Sequence, residues 1–234
     1  MVAHSHGISL LRSLDRYWDF HMFNFKFNFR QPVSGLTHLV GAILSLLGTL
    51  WLVMLAWGDP PEVLVVIVFG LSMIAIYTTS SALHLFDGHE TWSQRLRCYD
   101  HASIYVGIAG GYTPFVYYSL NDNIRWIALG IIWTLALTGA ISKLFFFFDG
   151  HFSTILYVLM GWVGMIFAPR GMAAFATGAL FLLAAGGVVY TIGAVIYALE
   201  RPNFHAHFGH HEIWHVFVLT GSAIHFSVLV LYIL

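Results

Sequence analysis

Long apolar runs alternate with short polar breaks along most of this chain. After Pro32 we find seven apolar stretches, at approximately 36–57, 62–86, 100–119, 124–147, 152–168, 172–199 and 212–234. Each is close to the roughly 17–25 residues that a helix needs to cross about 30 Å of hydrocarbon. The breaks between them hold residues that end helices, such as Gly58-Asp59-Pro60-Pro61. The pattern predicts an all-α, polytopic membrane protein with a bundle of seven transmembrane helices over residues 34–234.

The first 33 residues differ from the rest because they contain six charged side chains and no long apolar run. A cleaved signal peptide requires an apolar core, so we predict none. Within this segment Phe23, Phe25, Phe27 and Phe29 alternate with polar residues. Such alternation is compatible with a β-strand, but beside a membrane it favours a segment that lies in the headgroup region. We therefore predict a cytoplasmic or interfacial N-terminal arm over residues 1–33.

Composition excludes several classes of protein. Hydrophobic residues make up 59% of the 234 positions and charged residues only 9%, which is incompatible with a soluble globular domain. A formal net charge of −1 leaves no basic surface for nucleic acid. The single cysteine, Cys98, cannot form an intrachain disulfide. The 14 histidines are unusual in number, and histidine is the commonest metal ligand, so they are the first candidates for chemistry.

Lysine and arginine are distributed unequally between the two sides of the predicted bundle. With seven spans, eight of them fall on the side of the N-terminus: Arg12, Arg16, Lys26, Arg30, Arg95, Arg97, Lys143 and Arg201. Arg125 and Arg170 fall on the other side. Because cytoplasmic loops hold the excess of basic residues, we predict a cytoplasmic N-terminus and an exterior C-terminus in the inner (plasma) membrane.

Seven crossings bring distant polar residues into one layer near the cytoplasmic leaflet. The second span ends near His84, the third begins at Asp100, and the seventh begins with His211 and His215. His211 and His215 are one helical turn apart, a spacing that lets two imidazoles bind one cation. Ser80 lies one turn before His84 on the same helix face. A lone histidine at a helix end is usually interfacial, but ionisable residues gathered inside a membrane indicate a functional site.

Three neutral histidine nitrogens with an open fourth position are the ligand pattern of a catalytic zinc site. We therefore predict zinc bound by His84, His211 and His215. Zinc is preferred to iron or manganese because nothing in the sequence indicates a redox role. Asp100 would hold or deprotonate the water on the metal.

The string His211-Glu212-Ile213-Trp214-His215 also matches H-E-x-x-H, the metalloprotease motif, in which Glu212 would be the general base. Such proteases take their third zinc ligand downstream, and His225 is the only later histidine. It lies ten residues beyond His215, about 15 Å deeper and on another helix face. His84 is the better third ligand, so a protease is the minor alternative.

Four ordered segments carry a resemblance to a known family: Ser80-Ser81-Ala82-Leu83-His84, Tyr99-Asp100-His101-Ala102, Ala109-Gly110-Gly111-Tyr112-Thr113-Pro114-Phe115, and His210-His211-Glu212-Ile213-Trp214-His215 followed by His225-Phe226. They resemble bacterial haemolysin III proteins, which belong with the progestin and adipoQ receptors and more distantly with alkaline ceramidases. The resemblance covers residues 30–234 and includes Thr37-His38. It implies seven helices, an intramembrane zinc with the three ligands above, and Ser80 and Asp100 beside the metal-bound water. It does not account for the N-terminal arm or for His205, His207 and His210.

Three functions compete. The leading hypothesis is a zinc-dependent hydrolase of a lipid amide or ester, in which Asp100 takes the proton from water and Ser80 donates to the developing oxyanion. The lipid substrate follows from the bilayer depth of the site and from the ceramidase resemblance. The second hypothesis is a lipid receptor or sensor with structural zinc. The third is a haemolysin-like pore or a protein of membrane energetics, and the scarcity of charged residues in the spans argues against a wide aqueous pore.

Overall fold

A computed structural model describes residues 18–22, 25–86, 90–146, 150–205 and 208–234 of the chain. Its first element is a two-stranded antiparallel hairpin in which β1 (Trp18–Met22) pairs with β2 (Phe25–Phe29). The alternating phenylalanines of Phe25–Phe29 therefore belong to a paired strand, whereas Phe23 lies outside the described residues. The placement of this arm at a membrane surface stays a prediction.

The rest of the described chain is helical and carries eight α-helices joined by short connections. Their bounds are α1 Pro32–Leu55, α2 Pro60–Leu85, α3 Glu90–Ser119, α4 Asp122–Phe146, α5 His151–Trp162, α6 Ala168–Gly171, α7 Thr177–Leu199 and α8 His210–Val228. Short 3₁₀ turns flank α6, and a wider π-type turn over Leu229–Ile233 ends the chain. Prolines open α1 and α2, where the missing amide hydrogen has no helical acceptor to lose.

Five of these helices, α1, α2, α4, α7 and α8, are long and apolar enough to cross a membrane. Two predicted spans look different in the structure. Helix α3 begins at Glu90 rather than near 100, so its first turns are polar. Helix α5 ends at Trp162 and is followed by a 3₁₀ turn. Even with this turn included, the apolar helical segment, Phe152–Ile166, is shorter than the other candidate spans. Five crossings are therefore supported, and the seven-span count stays a prediction.

The outer faces of the long helices are apolar. On α1, for example, Leu44, Leu47 and Met54 are 60%, 57% and 66% exposed. A soluble monomer rarely exposes so continuous an apolar surface, whereas lipid tails solvate it. The chain is therefore a membrane protein.

Each helix packs on its neighbours in sequence for most of the chain, and α1 also packs against α8. One buried core, with Leu52, Val66 and Tyr77, lies among α1, α2, α7 and α8. A second core, with Tyr105 and Ile132, lies among α3, α4 and α5. The closure of α1 on α8 brings the start of α1, the end of α2 and the start of α8 together. We call this end of the bundle the histidine end.

Candidate metal centre

Three histidines meet at the histidine end. His84 lies in the last turn of α2, and His211 and His215 occupy successive turns at the start of α8. The Nε2 atom of His211 lies 3.2 Å from Nε2 of His84 and 3.1 Å from Nε2 of His215. Ligand nitrogens of all three lie within 4.8 Å of one another, and His84 and His215 are buried. The Nε2 atoms of all three rings therefore converge on one point.

The opposite nitrogens of two rings have oxygen partners. His215 Nδ1 lies 3.1 Å from the main-chain oxygen of Ser34, which can only accept a hydrogen bond. His84 Nδ1 contacts the side-chain oxygen of Gln31. Each Nδ1 therefore carries the hydrogen, and each Nε2 presents a lone pair to the centre. Such outer partners are the usual way in which proteins orient metal-binding histidines.

This geometry can be tested against a metal. His211 Nε2 can carry at most one hydrogen, so hydrogen bonding can satisfy only one of its two short contacts. A cation would satisfy all three lone pairs. Tetrahedral zinc with bonds of about 2.0–2.1 Å would separate its nitrogen ligands by about 3.3–3.4 Å, close to the two observed contacts. The residues present fit a metal ion bound by three imidazoles, a ligand set that suits zinc among several metals.

The structure places Ser80 and Asp100 together beside this centre. Ser80 is buried on α2, and its hydroxyl lies beside the Asp100 carboxyl of α3. A second link fixes the two helices, since Thr79 Oγ1 lies 2.9 Å from Ser103 Oγ, which donates to the main-chain oxygen of Asp100 at 2.6 Å. Packing of α2 against α3 thus positions a carboxyl beside the three histidines.

Glu212 of the H-E-x-x-H string has a different role. Its Oε2 accepts from the main-chain nitrogen of Gly209 at 2.9 Å, and its Oε1 accepts from Ser34 Oγ at 2.8 Å. Both oxygens are therefore engaged in capping α8 and in joining it to α1. This arrangement disfavours Glu212 as a general base.

Several other histidines lie away from the three-histidine cluster. His225 Nε2 donates to the main-chain oxygen of Leu183 at 3.3 Å, as expected for a residue on another helix face. Exposed His205 bridges to Phe208 through the backbone, and His210 Nδ1 lies 2.8 Å from Asn203 Oδ1. His207 is outside the described residues, as are His4 and His6. Within the described ranges, His84, His211 and His215 are the one group of three that could hold a metal.

Two cavities meet at the candidate metal centre. The inner cavity, of about 440 Å³, is lined mainly by apolar side chains and extends along α3 from Asp100 to Ser119. The outer cavity, of about 320 Å³, lies at the histidine end and is lined by charged and polar residues, including Arg30 and Arg97. Residues that line both are Asp100, His101, Gly150, Tyr197 and His211. The candidate ligands and the carboxyl therefore lie where a polar space joins an apolar one.

Sequence reasoning missed the residues of α1 that support the centre. Gln31 and Ser34 lie at the start of α1, on either side of Pro32 and Val33. Polar side chains are common at the start of a helix, so neither residue is conspicuous in the sequence. The pattern Thr37-His38 gives no role to His38, yet its buried ring stacks on His215, with centroids 3.7 Å apart. No local signal indicates these roles, since all three depend on the packing of α1 against α2 and α8.

Comparison with known proteins finds similar sequences over most of the chain. The Haemolysin-III related family profile matches residues 27–226. "Hemolysin-3" of Bacillus cereus is 39% identical over 207 residues, which is 86% of this chain and 90% of that protein. "Hemolysin-3 homolog" of Bacillus subtilis (strain 168) is 37% identical over 203 residues, covering 85% and 92%. "Monocyte to macrophage differentiation factor" of Homo sapiens is 27% identical over 169 residues, covering 68% and 66%.

Proposed function

Because the chain belongs to the Haemolysin-III related family, we propose that it is a zinc-dependent hydrolase of the inner (plasma) membrane that cleaves an amide or ester bond of a membrane lipid. One observation carries this proposal. The three converging histidines and the Asp100 carboxyl lie at the junction of an apolar cavity and a polar one. An amphiphile with its tail in the inner cavity would place the bond between tail and headgroup at the candidate ligands.

The shape of the inner cavity supports a lipid. Asp100 and Ser119, which both line it, are nineteen positions apart on one helix, or about 28 Å along its axis. Its volume of about 440 Å³ is within the range of ligand sites. Phe69, Met73 and Phe115 contribute apolar walls. A long hydrocarbon chain fits such a space better than a polar metabolite or a peptide.

The residues of the centre divide the reaction among them. When bound, zinc would supply Lewis-acid polarisation of the carbonyl and ease deprotonation of water. Asp100 takes a proton as the water oxygen bonds to the carbonyl carbon. Ser80, which lies beside Asp100, donates its single hydroxyl hydrogen to the developing oxyanion. When the carbon–nitrogen or carbon–oxygen bond breaks, Asp100 returns the proton to the leaving amine or alcohol.

A lipid receptor with structural zinc is the second candidate. It is favoured by the link that a metal would make between α2 and α8, since His84 lies on one helix and His211 and His215 on the other. In that case the bound metal would hold the bundle closed around a lipid. The two candidates share the ligands and differ in the role of Asp100.

One set of variants tests the proposal and separates the candidates. We would measure metal content, melting temperature and hydrolysis of a panel of lipid amides and esters, with and without chelator. The wild-type protein should hold about one zinc, and alanine at all three histidines should abolish it. Asp100→Asn should keep the zinc and lower turnover by roughly 10²–10⁴-fold, because the proton acceptor is lost.

Glu212→Gln is the matched control, because Glu212 is a carboxyl next to the candidate ligand His211. Its two oxygens accept hydrogen bonds from the Gly209 main chain and from Ser34, and not from the proposed reacting groups. The substitution should leave most of the hydrolysis in place, whereas a protease would lose its activity. Unchanged zinc in the triple histidine variant would refute the metal centre. Bound zinc without hydrolysis of any lipid in the panel would favour the receptor.

A further inference from the structure

Two arginines line the outer cavity, and neither has a role in the proposed hydrolysis. Arg30 precedes α1, and Arg97 lies in the third turn of α3. Neither guanidinium makes a hydrogen bond or a close ion pair with any residue in the described ranges, although both charges act on His84. Guanidinium groups that line a cavity and have no acidic partner among the described residues are candidates for binding an anionic ligand, since Arg presents a planar set of donors to oxygen acceptors.

The fold holds both arginines beside the candidate metal centre. The residue after Arg30 is Gln31, whose main-chain nitrogen donates to the main-chain oxygen of His84 at 2.9 Å and whose side chain contacts the His84 ring. Arg97 is one turn before Asp100 on the same face of α3, and its charge acts on that carboxyl. Two separate elements thus bring positive charge to one polar cavity.

Arg95 shows what an ordinary surface arginine of this helix looks like. Its guanidinium lies 5.7 Å from the ring centroid of Trp92. Arg95 and Arg97 are both exposed, so the two residues differ in position and not in exposure. Arg95 is absent from the lining of both cavities. An excess of basic residues at a membrane surface accounts for Arg95, but it does not account for two arginines in the wall of a cavity that also contains the candidate ligands.

We propose that the outer cavity binds the phosphate group of an anionic lipid headgroup through Arg30 and Arg97, while the hydrocarbon chain lies in the inner cavity. This inference rests on the proposed site and narrows its substrate class from membrane lipids in general to lipids that carry a phosphate. Two guanidinium groups match the charge and the several oxygens of a phosphate. The outer cavity, at about 320 Å³, is large enough for a small headgroup.

Binding can be measured without turnover by using ether lipids, which contain no amide or carboxylic ester bond. The two probes are a 1-O-alkylglycerol 3-phosphate and the 1-O-alkylglycerol with the same chain, titrated against the full-length protein in neutral detergent. The wild-type protein should bind the phosphorylated probe about 10- to 100-fold more tightly. Arg30→Gln combined with Arg97→Gln should reduce this ratio to near one and leave affinity for the neutral probe unchanged.

Arg95→Gln removes the same charge from the same helix and should leave the ratio as in the wild-type protein. Unchanged affinity for the neutral probe also shows that a variant is folded. If the double variant does not fold, the single variant Arg97→Gln repeats the test.

Inorganic phosphate serves as a competitor that distinguishes a lipid headgroup from the free anion. It should displace the phosphorylated probe only weakly, because it lacks the chain.

Equal affinity of the wild-type protein for both probes would overturn the inference. So would an equal loss in Arg95→Gln, or displacement by inorganic phosphate at the concentration at which the lipid itself binds. Failure of the hydrolase proposal has a different signature. It would appear as a retained preference for the phosphorylated probe in a protein that hydrolyses no lipid.

Discussion

At the scale of single residues, the orientation of the histidine rings matters as much as their proximity. Ser34 contributes a main-chain oxygen to His215 and a hydroxyl to Glu212, so one residue of α1 contacts α8 twice. Gln31 contacts His84 in the same way through its side chain. Neither Gln31 nor Ser34 presents a ligand atom to the proposed metal. Both determine which ring nitrogen does, because a histidine that donates through Nδ1 must coordinate through Nε2.

Replacing Gln31 by Ala should weaken zinc binding by about 10- to 100-fold, because the His84 ring loses the acceptor that orients it. A competition titration against a chelator of known affinity measures this directly. Ser34→Ala is the matched control. It removes the hydroxyl but keeps the main-chain oxygen that accepts from His215, so zinc affinity should stay near that of the wild-type protein. An equal loss of affinity in both variants would contradict this role for Gln31.

At the scale of elements, the contact between α2 and α3 is close because glycines of α3 face side chains of α2. A Cβ atom built on Gly110 would lie 2.0 Å from Ser72 Oγ and 2.3 Å from Ser72 Cβ. One on Gly107 would lie 1.9 Å from Ile76 Cδ1. Small residues of this kind let membrane helices approach closely. The same contact, continued toward the histidine end, places Asp100 against Ser80.

Gly110→Ala should therefore destabilise the protein by about 1–3 kcal/mol, since α3 must move away from α2. Gly111→Ala is the matched control on the same helix, because among the described residues its added methyl group would meet no side chain or neighbouring helix within 4 Å. It should be neutral or slightly stabilising, as alanine favours a helix more than glycine does. Thermal unfolding in detergent measures both variants. Similar melting temperatures for the two would show that the helices do not depend on this close contact.

At the scale of the whole molecule, charge and topology together predict how the bundle sits in the membrane. Eight lysines and arginines fall on the N-terminal side of a seven-span arrangement and two fall on the other. Arg30 and Arg97, which line the outer cavity, belong to the larger set. If the orientation follows the distribution of basic residues, the outer cavity faces the cytoplasm. A substrate headgroup would then come from the inner leaflet.

Reporter fusions test this arrangement. A reporter at Met1 should be active in the cytoplasm and one at Leu234 should be active outside, because an odd number of crossings separates the two ends. A third fusion after Asn121, between α3 and α4, should report the outside. Activity of both terminal fusions on the same side would mean that one predicted span does not cross, with the short α5 the first to be reconsidered.

Much of this protein follows from its sequence alone. The five long apolar helices, the proline starts of α1 and α2, and the one-turn spacing of His211 and His215 all depend on neighbouring residues and on the length of hydrocarbon to be crossed. The choice of His84 as a partner also follows from alternating helix directions. These features are local or follow from counting crossings, so a pattern of residues is enough to predict them.

Only the tertiary structure decides how the candidate site is completed. His84 and His211 are 127 positions apart, and Ser34 and Glu212 are 178 apart, so their contacts depend on how α1 packs against α2 and α8. The polar start of α3 and the early end of α5 likewise differ from the predicted spans. Hydropathy records which residues avoid water but not which side chains face one another. The acceptors at Nδ1 and the meeting of the two cavities are therefore properties of packing.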